Sequence, residues 1–495
     1  MALPMVLLDR QVNFRLDEVA SGVGGGDLRG FWEDGGRQAM SDQVMEYLRS
    51  FKARPVVENP PKPSFFDILV PFQPPFMDLD SARISSTDKN LVALYSGGYR
   101  PGSSWLGGYL VYDASKDSLS AIPRLPDDDC QKALGHQSAV VMCDSQGDGG
   151  YLLAELVVPG LSRAEVWLWK SSASEWALLS ESYPLPSCRT FCVDLCFSYR
   201  GSTLCWVDLF QGILLCDLNQ DCHNKFSFIA LPQDCPPYDV NPEYPDIVRP
   251  EESRSIACVC VRIKLIALDE CGSELIVWTL SPQLSGWTKT CKYNVETIWA
   301  NVNYLSAGLS KLALSLPVLS IHQDGVVYFV VNDDQVVDHQ LVREDQYLLR
   351  VDMKNNDVQV SANPTKSVYS QLLASEFSVY RRQDHPVPPP PNHPASSSSP
   401  QHQSLLPQHH AEALDQCCCK KPNSTSPSAV LHKPPTRKSK GRVTLSPHRR
   451  SVPSTADAMS HPGLVHAKHG SRLLPTSNPR KGVGGEGSDR KGRAG

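Results

Sequence analysis

The stretch from Gly201 to Pro232, "GSTLCWVDLFQGILLCDLNQDCHNKFSFIALP", is an apolar run that stops, turns, resumes, turns again and closes on Leu-Pro. A helix is not punctuated in this way. The preceding "CVDLCFSY" alternates, with Val193, Leu195, Phe197 and Tyr199 on one side, the period-two pattern of a half-buried strand. "RGS" signals a tight turn, "TLCWVD" a second strand, "LFQG" another turn and "GILLCD" a third strand. "LNQDCHNK" is a polar loop, and "FSFIAL" a fourth strand ended by Pro232. Residues 191–232 thus predict a four-strand antiparallel meander of about 40 residues, the size of one propeller blade.

Similar units recur on both sides. "SARISS", "KNLVALYS", "GGYLVYD" and "SLSAIP" occupy residues 81–123, and "SAVVMC", "YLLAELV", "AEVWLWK" and "EWALLS" occupy 138–180. "SIACVCV", "IKLIAL", "SELIVWTL" and "GWTKTC" fill 255–291, and "PVLSI", "GVVYFVV", "QYLLRVD" and "VQV" fill 317–360. Each unit is a sheet too small to bury its own two faces. Packing such sheets face to face around an axis buries both and hides most edges. About 20 strands exceed one ordinary sandwich. The expected fold is all-β: a propeller-like array of about five four-stranded antiparallel units. A sandwich-like arrangement of the same strands is the alternative.

The flanks read differently. "MALPMVLLDRQ" is a strand, its apolar run being too short for a signal-peptide core. "SDQVMEYLRSF" has Val44, Tyr47 and Leu48 at helical spacing with Ser41 as N-cap, a short helix beside a Gly-rich insertion. "FFDILVPF" is a strand that completes a blade. Residues 1–60 are thus an N-terminal strand, insertion and helix, and 61–380 the β domain. From about residue 381, "HPVPPPPNHPASSSSPQHQ" opens a Pro-, Ser- and His-rich tail without the apolar density to offset ordering entropy, and it is expected to be disordered.

The 495 residues carry a net charge of only -5, but the balance hides a split. Residues 381–495 hold about 18 Lys and Arg against about 6 Asp and Glu, so the domain is acidic and the tail basic. No run of about 18 apolar residues exists to form a transmembrane helix. The 16 Cys lie mostly among Val, Leu and Ile, as in "IACVCVRI", where a free thiol is a small buried hydrophobe. The expected location is intracellular, in cytoplasm or nucleus.

The stretches "ARISSTDKNLVALYSGG", "GYLVYDASKDSLSAIPRLP", "LCWVDLFQGILLCDL" and "YLLRVDMKNNDV" resemble the plant family known as domain of unknown function 1618, expanded in grasses. "LLASEFSVY", near residue 375, is similar to the family's closing segment. The resemblance covers roughly residues 60–380 and implies no catalytic residue. The pattern is also similar to the propeller-like domains that follow F-boxes in plants. No F-box precedes the repeats here.

Candidate sites are few. Cys188, Cys192 and Cys196 have an even spacing suggestive of metal ligands, yet paired C-x-x-C arms and a fourth ligand are missing, so packing is the expected role. Cys417, Cys418 and Cys419 beside Lys420 and Lys421 could accept a lipid or a metal, or be a chance run in low-complexity sequence. Asp113, Asp208, Asp217 and Asp352 close strands. Gathered at one mouth they could do acid–base chemistry; at strand ends a carboxylate ordinarily makes a turn. His136, His223, His322 and His339 are scattered in loops, and "GVGGG" at residues 22–26 lacks the Lys and Ser/Thr of a phosphate loop. In the tail, Ser399, Ser426 and Ser446 each precede Pro and are candidate phosphorylation sites. Lys433, Arg437, Lys438, Lys440 and Arg442 form a basic cluster that fits an import signal or non-specific phosphate contacts.

No cofactor is called for. The expected function is a non-catalytic interaction module that binds protein partners through propeller-face loops. The alternatives are a hydrolase-like enzyme using carboxylates at the channel, and a nuclear or nucleic-acid-associated protein acting through its tail.

Overall fold

A computed structural model describes residues 5–381, apart from 18–36, 73–80, 98–106, 126–137, 145–149, 159–162, 180–182, 186–190, 221–224, 237–248, 270, 338–339, 364–367 and 369–370. Five contiguous meanders stand where the sequence predicts them. They are β4 (Ala82–Asp88), β5 (Leu91–Gly97), β6 (Gly107–Asp113) and β7 (Ser118–Pro123); then β8 (Val140–Cys143), β9 (Tyr151–Val157), β10 (Arg163–Lys170) and β11 (Glu175–Leu178), with the two-residue β12 (Tyr183–Pro184) against β10. The opening stretch builds β13 (Leu195–Tyr199), β14 (Thr203–Asp208), β15 (Gly212–Asp217) and β16 (Phe226–Ala230). The fourth is β17 (Arg254–Val259), β18 (Arg262–Leu268), β19 (Glu274–Leu280) and β20 (Trp287–Asn294). The fifth is β21 (Leu314–Leu319), β22 (Val326–Val337), β23 (Gln340–Asp352) and β24 (Asp357–Ala362).

A sixth sheet, bridged to β4 of the first meander by the single antiparallel pair Gln11–Arg83, joins the two ends of the domain. Its strands are β1 (Val6–Leu16), β2 (Lys52–Val56), β3 (Pro63–Val70) and β25 (Leu373–Ser375), in the order β25-β1-β3-β2. β1 runs parallel to β3 and antiparallel to β25. Inner strands β4, β8, β13, β17, β21 and β25 each touch the next, and β25 returns to β4, so the ring is closed.

Strand alternation explains the packing. In β14, Leu204 and Trp206 face the β8–β11 sheet, while Cys205 and Val207 face the β17–β20 sheet. Every neighbouring pair of sheets shares such an apolar layer, and Met5 and Leu7 with Val318 and Tyr328 form the layer that closes the circle. Trp206 and Leu214 are fully buried cross-strand partners. Gly212 is required where β14 turns into β15: its φ is +153°, and a Cβ would stand 2.1 Å from the Ile229 carbonyl oxygen.

Helix is confined to short pieces among the described residues: α1 (Arg37–Arg49), α2 (Glu296–Trp299) and α3 (Val302–Ser306). None is long and apolar enough to cross a membrane. α1 buries Val44, Tyr47 and Leu48 against the seam between the sixth sheet and the β4–β7 sheet, as their spacing implies. It begins four residues before Ser41, which is therefore interior to the helix and not its cap. Val193 also departs from expectation. It precedes β13 and packs in the layer on the opposite side from Leu195 and Tyr199.

Candidate functional site

Because each meander is antiparallel, its first-to-second and third-to-fourth turns emerge at one end of the ring. The first-to-second turns stand nearest the axis. They carry Lys89, Arg200, Cys260 and Val261, all with φ between +46° and +60°. These left-handed positions are what a tight hairpin demands. Val261 is 71% exposed.

The strand-end carboxylates do not converge on the axis. Asp208 Oδ1 accepts from the Phe210 and Gln211 amides at 2.8 and 3.0 Å, and Oδ2 from the Cys192 amide at 2.9 Å. Asp217 accepts from the Asn219 amide at 3.0 Å, and Asp352 from the Lys354 and Asn355 amides, both at 3.1 Å. Asp113 accepts from the Ser115 amide at 3.0 Å and pairs with Lys116 at 2.9 Å. Although burial opposes it, bonds from Ser115, Lys116 and Asn90 hold the Asp113 carboxyl below its ordinary range. These are turn-forming carboxylates. Asp113, Asp217 and Asp352 end third strands, two strands out from the axis.

The axis holds a polar core of a different kind. The ladder of β1 breaks between Leu8 and Val12, and that of β4 between Ile84 and Ser86. Such bulges re-aim side chains. Arg10, only 2% exposed, is turned inward and donates from Nε to the Ile84 carbonyl (3.0 Å), from Nη2 to Ser85 (3.0 Å) and from Nη1 to Asp194 (3.1 Å). Burial lowers its pKa to about 10, so it remains a cation at neutral pH. Glu155 is a buried carboxyl and Asp194 a half-buried one, and both are pushed up to about 8, chiefly by loss of hydration. Glu155 accepts from Ser138 Oγ, and Trp206 Nε1 donates to the Ser138 carbonyl at 2.7 Å. Nothing in the local sequence marks Arg10 or Glu155. Arg10 sits in a short polar interruption, "DRQ", which reads as the end of a strand.

Cys196 lies at the axis with Sγ 3.7 Å from the Ser85 carbonyl oxygen and 3.5 Å from that of Ala139, and burial raises its thiol well above the ordinary value. Cys192 is exposed, and Cys188 lies outside the described residues. No group of three or more His, Cys, Asp or Glu side chains among the described residues is placed to hold a metal. His322 Nε2 stands 3.3 Å from Glu376 Oε2, linking the turn after β21 to the residue after β25. His136, His223, His339, residues 22–26, Cys417–Cys419, Ser399, Ser426, Ser446 and the cluster Lys433, Arg437, Lys438, Lys440 and Arg442 all lie outside the described residues.

β4, β8 and β13 close on one another at the axis. On the other side, β13, β17, β21, β25 and the end of β4 stand around a cavity of about 300 Å³. Asp88, Lys89, His322 and Glu376 are among its lining residues.

Residues 206–328 match the family described as "Protein of unknown function (DUF1618)", in agreement with the resemblance drawn from the sequence. No curated protein matches the chain. Among solved structures, an oligogalacturonate lyase in complex with manganese is similar at 10% identity and a TM-score of 0.30, over 54% of this chain and 61% of that one. A member of the duf4221 family from Bacteroides vulgatus is 12% identical with a TM-score of 0.30, over 61% of this chain and 88% of that one. The β-propeller domain of the trilobed protease from Pyrococcus furiosus is 8% identical with a TM-score of 0.28, over 58% and 96%. The matched part spans 61% and 54% of the first two such structures' own chains.

Proposed function

We propose that this protein of the DUF1618 pattern is a non-catalytic interaction module that binds protein partners through the end of the ring carrying Lys89, Arg200 and Val261. The observation that carries the reading is the use of the strand-end carboxylates. Asp113, Asp208, Asp217 and Asp352 are each consumed by their own turn, which leaves the hydrolase-like alternative without the convergent acid–base pair it needs. The exposed tips differ in chemistry from sheet to sheet, an arrangement suited to selective contact on a rigid frame. Fold alone supplies no reaction. In this reading the protein works inside the cell, in cytoplasm or nucleus. Lys433 to Arg442 act as an import signal or contact anions non-specifically, and phosphates on Ser426 and Ser446 weaken that contact by adding about -1.5 to -2 charge each.

The test is quantitative affinity purification of the full chain against the face variant Arg200→Glu/Val261→Asp and the edge variant Leu178→Asp. Leu178 is 46% exposed on the outer strand β11. Loss of partners with the face variant and their retention with the edge variant is expected. Equal partner sets for all three chains would refute the reading.

A further inference from the structure

The tips nearest the axis reverse the sign of the domain that carries them. Residues 1–380 hold about 30 Lys and Arg against about 47 Asp and Glu. At this end, however, the carboxylates are occupied. Asp88 Oδ2 accepts from the Cys143 amide at 2.7 Å, Asp324 pairs with Lys264 and Lys354, and Glu376 stands by His322. Lys89, Arg200 and Arg262 are exposed and have no carboxylate partner among the described residues. Two of these cations converge. Tyr199 Oη donates to the Val261 carbonyl at 3.4 Å, which joins the β13–β14 and β17–β18 tips, and the Arg200 guanidinium lies 4.9 Å from the Tyr199 ring centroid. Burial raises the pKa of the Tyr199 hydroxyl, while Arg200 and Arg262 both act to lower it, as cations close beside it must. Lys89 and Val261 stand on the rim of the same axial cavity.

Val261 adds an independent observation. Val259 pairs with Arg262 across the two-residue loop Cys260–Val261, whose φ values are +46° and +60°. That is the type I′ geometry which Asn-Gly adopts without strain. A β-branched side chain at positive φ is an outlier, and this one is also held 71% exposed. Local stability favours glycine there, and strain of this kind concentrates where a surface makes contacts. A nucleic acid would meet only three free cations on an acidic domain, beside an aliphatic tip on which bases cannot stack. The chain's own tail, with about 18 Lys and Arg against about 6 Asp and Glu, has the wrong sign to cover these tips. We infer that this end of the ring takes an acidic segment of a protein partner, with carboxylates on Arg200, Arg262 and Lys89 and an apolar side chain against Val261. The inference rests on the interaction reading above and gives its partner a chemistry.

The test is a random-peptide display selected on the immobilised full chain at low salt. Enriched peptides should hold at least about twice the Asp and Glu of the starting library, together with an aliphatic or aromatic residue. A fluorescein-labelled consensus peptide should then bind at least about tenfold more weakly to Lys89→Glu/Arg200→Glu/Arg262→Glu, and within about threefold of wild type to Lys89→Arg/Arg200→Lys/Arg262→Lys. Raising NaCl from about 0.05 to about 0.3 M should weaken it several-fold. Val261→Gly should raise the melting temperature yet weaken the peptide at least about threefold, opposite signs that a merely structural residue would not give. Enrichment without an excess of Asp and Glu, no enrichment over an unrelated immobilised protein, or affinity indifferent to charge reversal would each overturn the proposal. So would tighter binding of a single-stranded oligonucleotide at the same salt. Should acidic peptides fail while Arg200→Glu/Val261→Asp still loses partners in affinity purification, the partner chemistry falls and the interaction reading stands; partners retained there as well would sink both.

Discussion

Arg10 shows how much of this ring depends on one side chain with no local signature. Its guanidinium binds carbonyls of β4 and of the residue before β13 from a strand of the sixth sheet, so it ties three sheets at the axis. Arg10→Met keeps the stem but leaves three carbonyls without these donors, and a loss of about 3–5 kcal/mol is expected in urea unfolding. A change under about 1 kcal/mol would show that water replaces the guanidinium. Glu155 provides a second handle. Its ordinary carboxyl value is 4.5, and in the folded chain burial raises it to about 8. Between these values the folded state keeps a proton that the unfolded state has released. Stability therefore falls as pH rises through this window, by up to about 1.4 kcal/mol per pH unit. Glu155→Gln should reduce that slope, to which Asp194, raised in the same direction, also contributes. Melting temperatures at pH 5 and pH 8 test it: an unchanged difference between wild type and variant would rule out a buried neutral Glu155.

At the scale of elements, the same cue has unequal weight in different turns. Asp208 and Asp217 both end apolar strands in the opening stretch, yet Asp208 is fully buried with four bonds while Asp217 holds an exposed turn. Asp208→Ala should cost about 2–4 kcal/mol and Asp217→Ala about 0.5–1 kcal/mol, measured by chemical denaturation. Trp206→Ala, at a fully buried position between two sheets, should cost about 3–5 kcal/mol. Such positions were legible because a meander is a local object. Alternation, turn residues and strand length all lie within about 40 consecutive residues. The sixth sheet was not legible as a unit, since its strands come from residues 6–16, 52–56, 63–70 and 373–375 and include a parallel pair. Two of the strands could be seen, in "MVLLDR" and "FFDILVPF", but their pairing is set by tertiary closure. The axial cavity was hidden for the same reason: five sheets supply its walls, and no single stretch carries its pattern.

For the whole molecule, closure decides stability. Each meander has two apolar faces, so an open array leaves its two terminal faces wet, and the composite sheet covers both. The final strand is short: Leu373, Ala374 and Ser375 pair with Leu8, Leu7 and Val6. Its neighbours Leu372 and Phe377 are buried in the layers on opposite sides of that sheet. The most direct measurement of this closure is the thermal unfolding of two truncated chains, one ending at residue 381 and one at residue 370. The chain ending at 381 is expected to melt at the temperature of the full protein. The chain ending at 370 lacks Gln371, Leu372, the β25 pairing and Phe377, and should melt on the order of 10 °C lower. Coincident melting of the two truncated chains would contradict a ring closed by its own two ends.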